Sequence, residues 1–120
     1  MKTAQEILSI MNHATGTTQY HKFSPFPGYP VITDGVKAVS DAAGCYWLLD
    51  FIGERSKKLS PTLQVWKLLV NGDKSASVRA SIDEEGVKFR TFKRMQYTDF
   101  PLPEFKLYLI DNVLLLPSEY

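Results

Sequence analysis

The sequence predicts an α+β domain with two or three helices packed on one face of a four- to five-stranded, mostly antiparallel sheet. Three observations carry this. Residues 33–55 hold the longest stretch of helical periodicity, residues 62–98 alternate apolar and polar between turn signals, and Asp111-Asn112 divides two further apolar runs. With 120 residues, 44% of them hydrophobic, the chain is long enough for a core and too apolar for general disorder. A single domain is expected over 1–120. It divides into an N-terminal helix (1–14), an aromatic and proline-rich connection (15–32), a broken central helix (33–58), a β-meander (62–98) and a C-terminal hairpin (104–117).

The first helix opens with a capping box, Thr3-Ala4-Gln5-Glu6, in which threonine and glutamate satisfy each other's end of the first turn. Ile7, Ile10, Met11 and Ala14 then form an apolar stripe, which predicts a helix over 3–12. In the connection, Thr15 to Phe23 is β-prone enough for a short edge strand. Pro25, Pro27, Gly28 and Pro30 mark a loop. Tyr20, Phe23, Phe26 and Tyr29 make that loop aromatic. Exposed aromatic loops are common binding devices, but folding back on the core is the plainer expectation.

Thr33 or Asp34 caps the central helical stretch, with Val36, Val39 and Ala43 on one face and Asp34, Lys37 and Asp41 on the other. Ala43-Gly44 is suited to ending a helix, so the stretch divides there. Cys45, Leu48, Leu49 and Ile52 form the apolar face of the second half. Tyr46, Trp47, Asp50 and Glu54 fall on its other side.

In the meander, Leu63–Val70 is apolar on both parities, as in a central strand covered at least partly on both faces. Asn71-Gly72-Asp73 signals a hairpin. Residues 75–82 alternate, with Ala76, Val78, Ala80 and Ile82 inward and Ser77, Arg79 and Ser81 outward. After the turn at 83–86, residues 87–97 alternate again, setting Val87, Phe89 and Thr91 against Lys88, Arg90, Phe92 and Arg94. Pro101 and Pro103 stiffen the next connection. The last hairpin turns at Asp111-Asn112, a pair tolerant of positive φ, although a helix over 104–110 is an open alternative.

Five blocks of the chain have a family likeness: TGTTQYH, TDGVKAVSDAAGCYWLLDFI, VWKLLVN, YTDFPL and LYLIDNVLLLPSEY. Spanning most of the chain from Thr15 onward, they resemble a family of small bacterial, plasmid- and phage-borne proteins defined only as a domain of unknown function. The resemblance implies a single α+β domain in a bacterial or mobile-element setting. It brings no activity, ligand or catalytic residue.

Several function classes fall away. A net charge of +1 argues against binding driven by overall charge to nucleic acid or anionic lipid. The single cysteine, Cys45, gives no internal disulfide, and its apolar neighbours suit a buried, inert thiol. The N-terminus lacks the apolar run of a secretory signal, and no stretch is long and apolar enough to span a bilayer, so a cytoplasmic protein is expected. There is no GxSxG, GxxxxGK[ST] or GxGxxG motif. His13, His21 and Cys45 are acceptable metal ligands in type but lack a ligand spacing, so no metal or cofactor is predicted.

Two surfaces remain as candidates. Tyr46, Trp47, Asp50 and Glu54 combine two aromatics with two carboxylates at helical spacing, which suits a protein contact. Asp50 and Glu54 could also be an acid/base pair in an unfamiliar site or half of a metal site, although a solvated helix strip is the plainer reading. Arg79, Lys88, Arg90, Phe92 and Arg94 place cations and a ring on the outward face of the meander, as in a single-strand nucleic-acid platform. Against this, Asp83, Glu84 and Glu85 adjoin, and lysines and arginines also protect edge strands from aggregation. A small non-catalytic binding or accessory module with a protein partner is therefore the leading expectation. Weak nucleic-acid binding and catalysis at Asp50 and Glu54 stand behind it.

Overall fold

A computed structural model describes residues 3–57, 63–81 and 90–120. The break at Ser60-Pro61, the turn at 83–86 and Lys88 lie outside the described residues. The first helix, α1 (Ala4–His13), carries the full capping box, with Thr3 accepting from the Glu6 amide and Glu6 returning the bond. Helix α2 (Asp34–Ala43) starts at the Thr33 cap and stops at Gly44, whose φ of 64° is the left-handed conformation that closes a helix. Helix α3 (Tyr46–Ser56) follows almost at once.

Among the described residues the sheet has seven strands rather than the four or five expected, and it is mostly antiparallel as expected, the β2–β7 pairing being parallel. In chain order these are β1 (Tyr20–Lys22), β2 (Val31–Thr33), β3 (Leu63–Val70), β4 (Ala76–Ser81), β5 (Arg90–Met95), β6 (Glu104–Ile110) and β7 (Val113–Leu115). Their spatial order is β1-β2-β7-β6-β3-β4-β5. Strand β1 is the short edge strand allowed for between Thr15 and Phe23, and β2, a three-residue run that ends on the α2 cap residue Thr33, is the strand no expectation covered. It is too short to show a period, and it is held by antiparallel pairing to β1 and parallel pairing to β7. Residues 104–110 are strand, not helix. Asp111 and Asn112, with φ of 50° and 63°, make the two-residue turn whose twist suits a hairpin.

Cross-strand pairing gives the sheet an inner and an outer face. Trp66, Leu68 and Val70 share the inner face with Ala76, Val78, Ala80, Phe105 and Leu107. The helices bring Ile7, Val36, Val39, Leu48, Leu49 and Ile52 against that face, forming one core. Phe100 and Leu102, from the proline-bearing connection, are buried in it. The outer face shows Leu69, Tyr108, Ile110, Val113 and Leu115, all half-buried and outside that core. No helix of the described residues is long and apolar enough to cross a membrane.

Candidate binding surfaces

The strip on α3 is tied to its surroundings at both ends. Tyr46 is half-buried and its hydroxyl donates to Asp41 Oδ1 on α2 at 2.5 Å. Burial first, and the Asp41 carboxylate second, push the Tyr46 phenol up to about 12. The same hydrogen bond, followed by that from Lys37, holds Asp41 below the usual carboxylate range. Trp47 is half-buried with its ring system against the core, whereas Asp50 is exposed. Glu54, one turn on, accepts a 2.9 Å hydrogen bond from the Tyr29 hydroxyl.

That last bond joins α3 to the aromatic loop. Tyr29 lies over Gly53 so closely that a Cβ there would stand 2.7 Å from its ring. Lys57 covers the ring from 4.4 Å and donates to the Pro27 carbonyl at 3.3 Å. Phe23 packs on the core, and Tyr29 touches both Phe23 and Phe26. The loop is thus folded back, yet Phe26 remains 65% exposed beside the tyrosine. Hydrogen bonding to Glu54 raises the Tyr29 phenol, with burial and the nearby Glu54 and Asp50 charges adding to it.

The basic set on the meander does not stay together. The β4–β5 register shifts between Val78 and Arg79, which places Lys93 opposite Val78 but Thr91 opposite Arg79. The residue between them, Phe92, is the extra one. Its ring lies 5.3 Å from that of Trp66, half-buried on the inner side. Strict alternation would have sent Phe92 outward, and the bulge reverses it. Arg90 pairs with Ala80 on the inner side, its guanidinium 5.5 Å from the Phe92 ring. Arg79 and Arg94 do share the outer face, near Ser77. Pairing adds a row that chain order hides, because Arg79 lies opposite Lys67 and Lys67 opposite Lys106 across β4, β3 and β6. Glu104 approaches Lys67 at 3.7 Å.

His13, His21 and Cys45 are engaged separately. His13 Nδ1 sits 2.7 Å from the Ser9 carbonyl at the end of α1, and His21 Nε2 lies 2.7 Å from Asp34 Oδ1. Cys45 is buried beside Ser40, and burial lifts its thiol to about 11. Among the described residues no group of three or more His, Cys, Asp or Glu is placed to hold a metal ion.

Two features are absent from the sequence reading. Asp34, read there as a cap, is a hub: it accepts from the Thr18 amide and hydroxyl at 2.9 and 3.0 Å as well as contacting His21. These bonds, the Thr18 amide foremost, hold its carboxyl well below the usual range. Secondly, a hollow of about 450 Å³ opens on the outer face between β7, the β6–β7 turn and Glu119-Tyr120. A smaller one, about 240 Å³, lies by the β3–β4 turn. Neither is lined by Asp50 or Glu54. No local pattern could reveal the larger hollow, since its walls come from both ends of the chain.

Comparison with curated proteins and with solved structures gave no match. A family model does match, over residues 5–120, and the chain accordingly belongs to the family of unknown function DUF6876.

Proposed function

We propose that this protein is a small non-catalytic binding module that acts through protein–protein contacts, with α3 and the aromatic loop as its contact face. The Tyr29–Glu54 hydrogen bond supports this best, because it fastens the loop that carries exposed Phe26, packed on the Tyr29 ring, to the helix that carries the Glu54 and Asp50 carboxylates. An apolar anchor on the loop and two negative charges on the helix it is tied to suit a partner that presents both an apolar and a basic side chain. Both carboxylates stand at solvent on a helix, where they serve recognition better than proton transfer to an enclosed substrate. We take the setting to be cytoplasmic and bacterial or mobile-element-borne, in keeping with a lone buried thiol and with the family likeness.

The test is affinity capture with the tagged protein beside three variants, Phe26→Ala, Asp50→Asn and Gly53→Ala. The last keeps α3 but drives a methyl group into the Tyr29 ring, so it displaces the loop without touching either carboxylate. A partner retained by the parent and lost in all three, with unchanged circular dichroism, is the expected result. Equal retention by all four proteins would sink the reading.

A second reading, weak binding of single-stranded nucleic acid, draws on the Arg79–Lys67–Lys106 row and on Arg94. Like charges on directly opposed residues are unfavourable in a sheet, and a phosphate chain would offset them. This reading loses Phe92 as a stacking ring. It requires affinity that falls steeply with salt and falls again in Arg79→Ala and Lys106→Ala.

A further inference from the structure

The hollow on the outer face has the size of a small-molecule site, its 450 Å³ lying within the usual span of about 300–1,000 Å³. Its floor is aliphatic: Ile110 and Val113 are cross-strand partners, and Leu115 continues the same face. Tyr20 and Tyr120 stand at its sides, 62% and 73% exposed. Asp111, at the turn, and Glu119 supply the charge, and none of the lining residues is basic.

We propose that this hollow binds an organic cation with an apolar body, that is, a protonated amine or guanidinium carried on an aromatic or branched aliphatic group. The aliphatic floor takes the body, Asp111 meets the charge, and tyrosine rings attract cations. An anion is disfavoured for a specific reason. The amides at the start of α2 would ordinarily welcome one, but they are already taken: Asp34 N donates to Thr17 Oγ1 at 2.9 Å, Gly35 N to Glu119 Oε2 at 3.3 Å and Val36 N to Thr33 Oγ1 at 3.3 Å. A bare inorganic cation would leave the floor unused. The site lies on the opposite side of the sheet from α3 and does not depend on the protein-contact reading.

The experiment is an amide chemical-shift titration of the whole protein with three probes of one shape: 2-phenylethylamine, 2-phenylethanol and 3-phenylpropionate. The amine is expected to shift Thr33, Asp111, Val113 and Leu115, with the alcohol at least about fivefold weaker and the carboxylate silent. Asp111→Asn keeps the turn, since asparagine tolerates the φ of 50° at least as well. It should weaken the amine about fivefold and leave the alcohol unchanged. Tyr20→Ala, on the edge strand, should weaken the amine more than the alcohol. The proposal is overturned if the three probes bind alike, if millimolar amine shifts nothing or shifts residues elsewhere, or if Asp111→Asn leaves the amine's affinity unchanged.

Discussion

Glu119 accepts a 2.6 Å hydrogen bond from the hydroxyl of Thr33, a residue 86 positions earlier, and that same hydroxyl accepts from the Val36 amide to cap α2. One side chain therefore links the C-terminal residues to the start of a central helix. The second carboxylate oxygen takes the Gly35 amide at 3.3 Å, and Leu116 N donates to the first at 3.0 Å. Removing this link by Glu119→Ala should destabilise the protein by about 1.5–3 kcal/mol in urea unfolding, the usual range for hydrogen bonds to a charged group.

Gly35→Ala tests the same contact from the other side. An alanine in a helix normally gains about 0.5–1 kcal/mol over glycine. Here the new Cβ would lie 2.8 Å from the Glu119 carboxylate, which can give way only by loosening its hydrogen bonds to Thr33, Gly35 and Leu116, so the substitution should destabilise instead. In the Glu119→Ala background the sign should return to a gain. Additive effects in that double-mutant cycle would refute the link.

Asp34 gives a pH prediction. Its carboxyl is depressed in the folded protein by the Thr18 amide, His21 and the Thr18 and Thr17 hydroxyls. A depressed folded pKa means stability that is fully present above the unfolded aspartate value, near 4, and lost as pH falls through the folded one. Asp34→Asn should therefore melt lower than the parent at neutral pH, and the gap should close as pH drops from about 5 towards 2. A gap that stays constant across that window would mean the carboxylate's charge is irrelevant to β1 docking.

The β3–β4 turn shows what sequence can and cannot say about a loop. Asn71-Gly72 signals a hairpin, and a hairpin forms, closed by Asn71 N to the Ser75 carbonyl at 2.8 Å. The left-handed residue is not the glycine but Lys74, with φ 72°. A lysine there carries roughly 1–2 kcal/mol of strain. After the larger unfolded-state entropy of glycine is subtracted, Lys74→Gly should stabilise by about 0.5–1 kcal/mol. Gly72→Ala, with open space at its Cβ, should change little. Thermal unfolding of the two variants distinguishes this turn from one that needs the glycine.

Local chemistry was legible where one segment decides the outcome. The Thr3–Glu6 cap, the break at Gly44 and the positive-φ pair Asp111-Asn112 all follow from residue types and their neighbours. Features decided between segments were not. Strand β2 owes its existence to β1 and β7, the Arg79–Lys67–Lys106 row to which strands adjoin, and the outer hollow to residues from both ends of the chain. The α3 strip lies between these cases. Its residues share a helix face by spacing alone, but only the fold discloses that Tyr46 is fastened to Asp41 and Glu54 to Tyr29.

The bulge in β5 offers the sharpest separation between a pattern and its outcome. By alternation Phe92 and Arg94 belong on one solvated face, so truncating either should matter little. In the structure Phe92 packs against Trp66, itself only 1% exposed, while Arg94 remains at the surface. Phe92→Ala should therefore destabilise by about 1–3 kcal/mol, less than a fully buried phenylalanine because the ring is only half-covered. Arg94→Ala should stay within about 0.5 kcal/mol of the parent. The tryptophan supplies an independent readout. In a Trp47→Phe background, which leaves Trp66 as the sole tryptophan, loss of the neighbouring ring should red-shift the emission in Phe92→Ala, whereas Arg94→Ala should leave it in place. If both variants unfold at the parent's urea midpoint, the inward placement of Phe92 fails, and a regular strand with its ring at solvent takes its place.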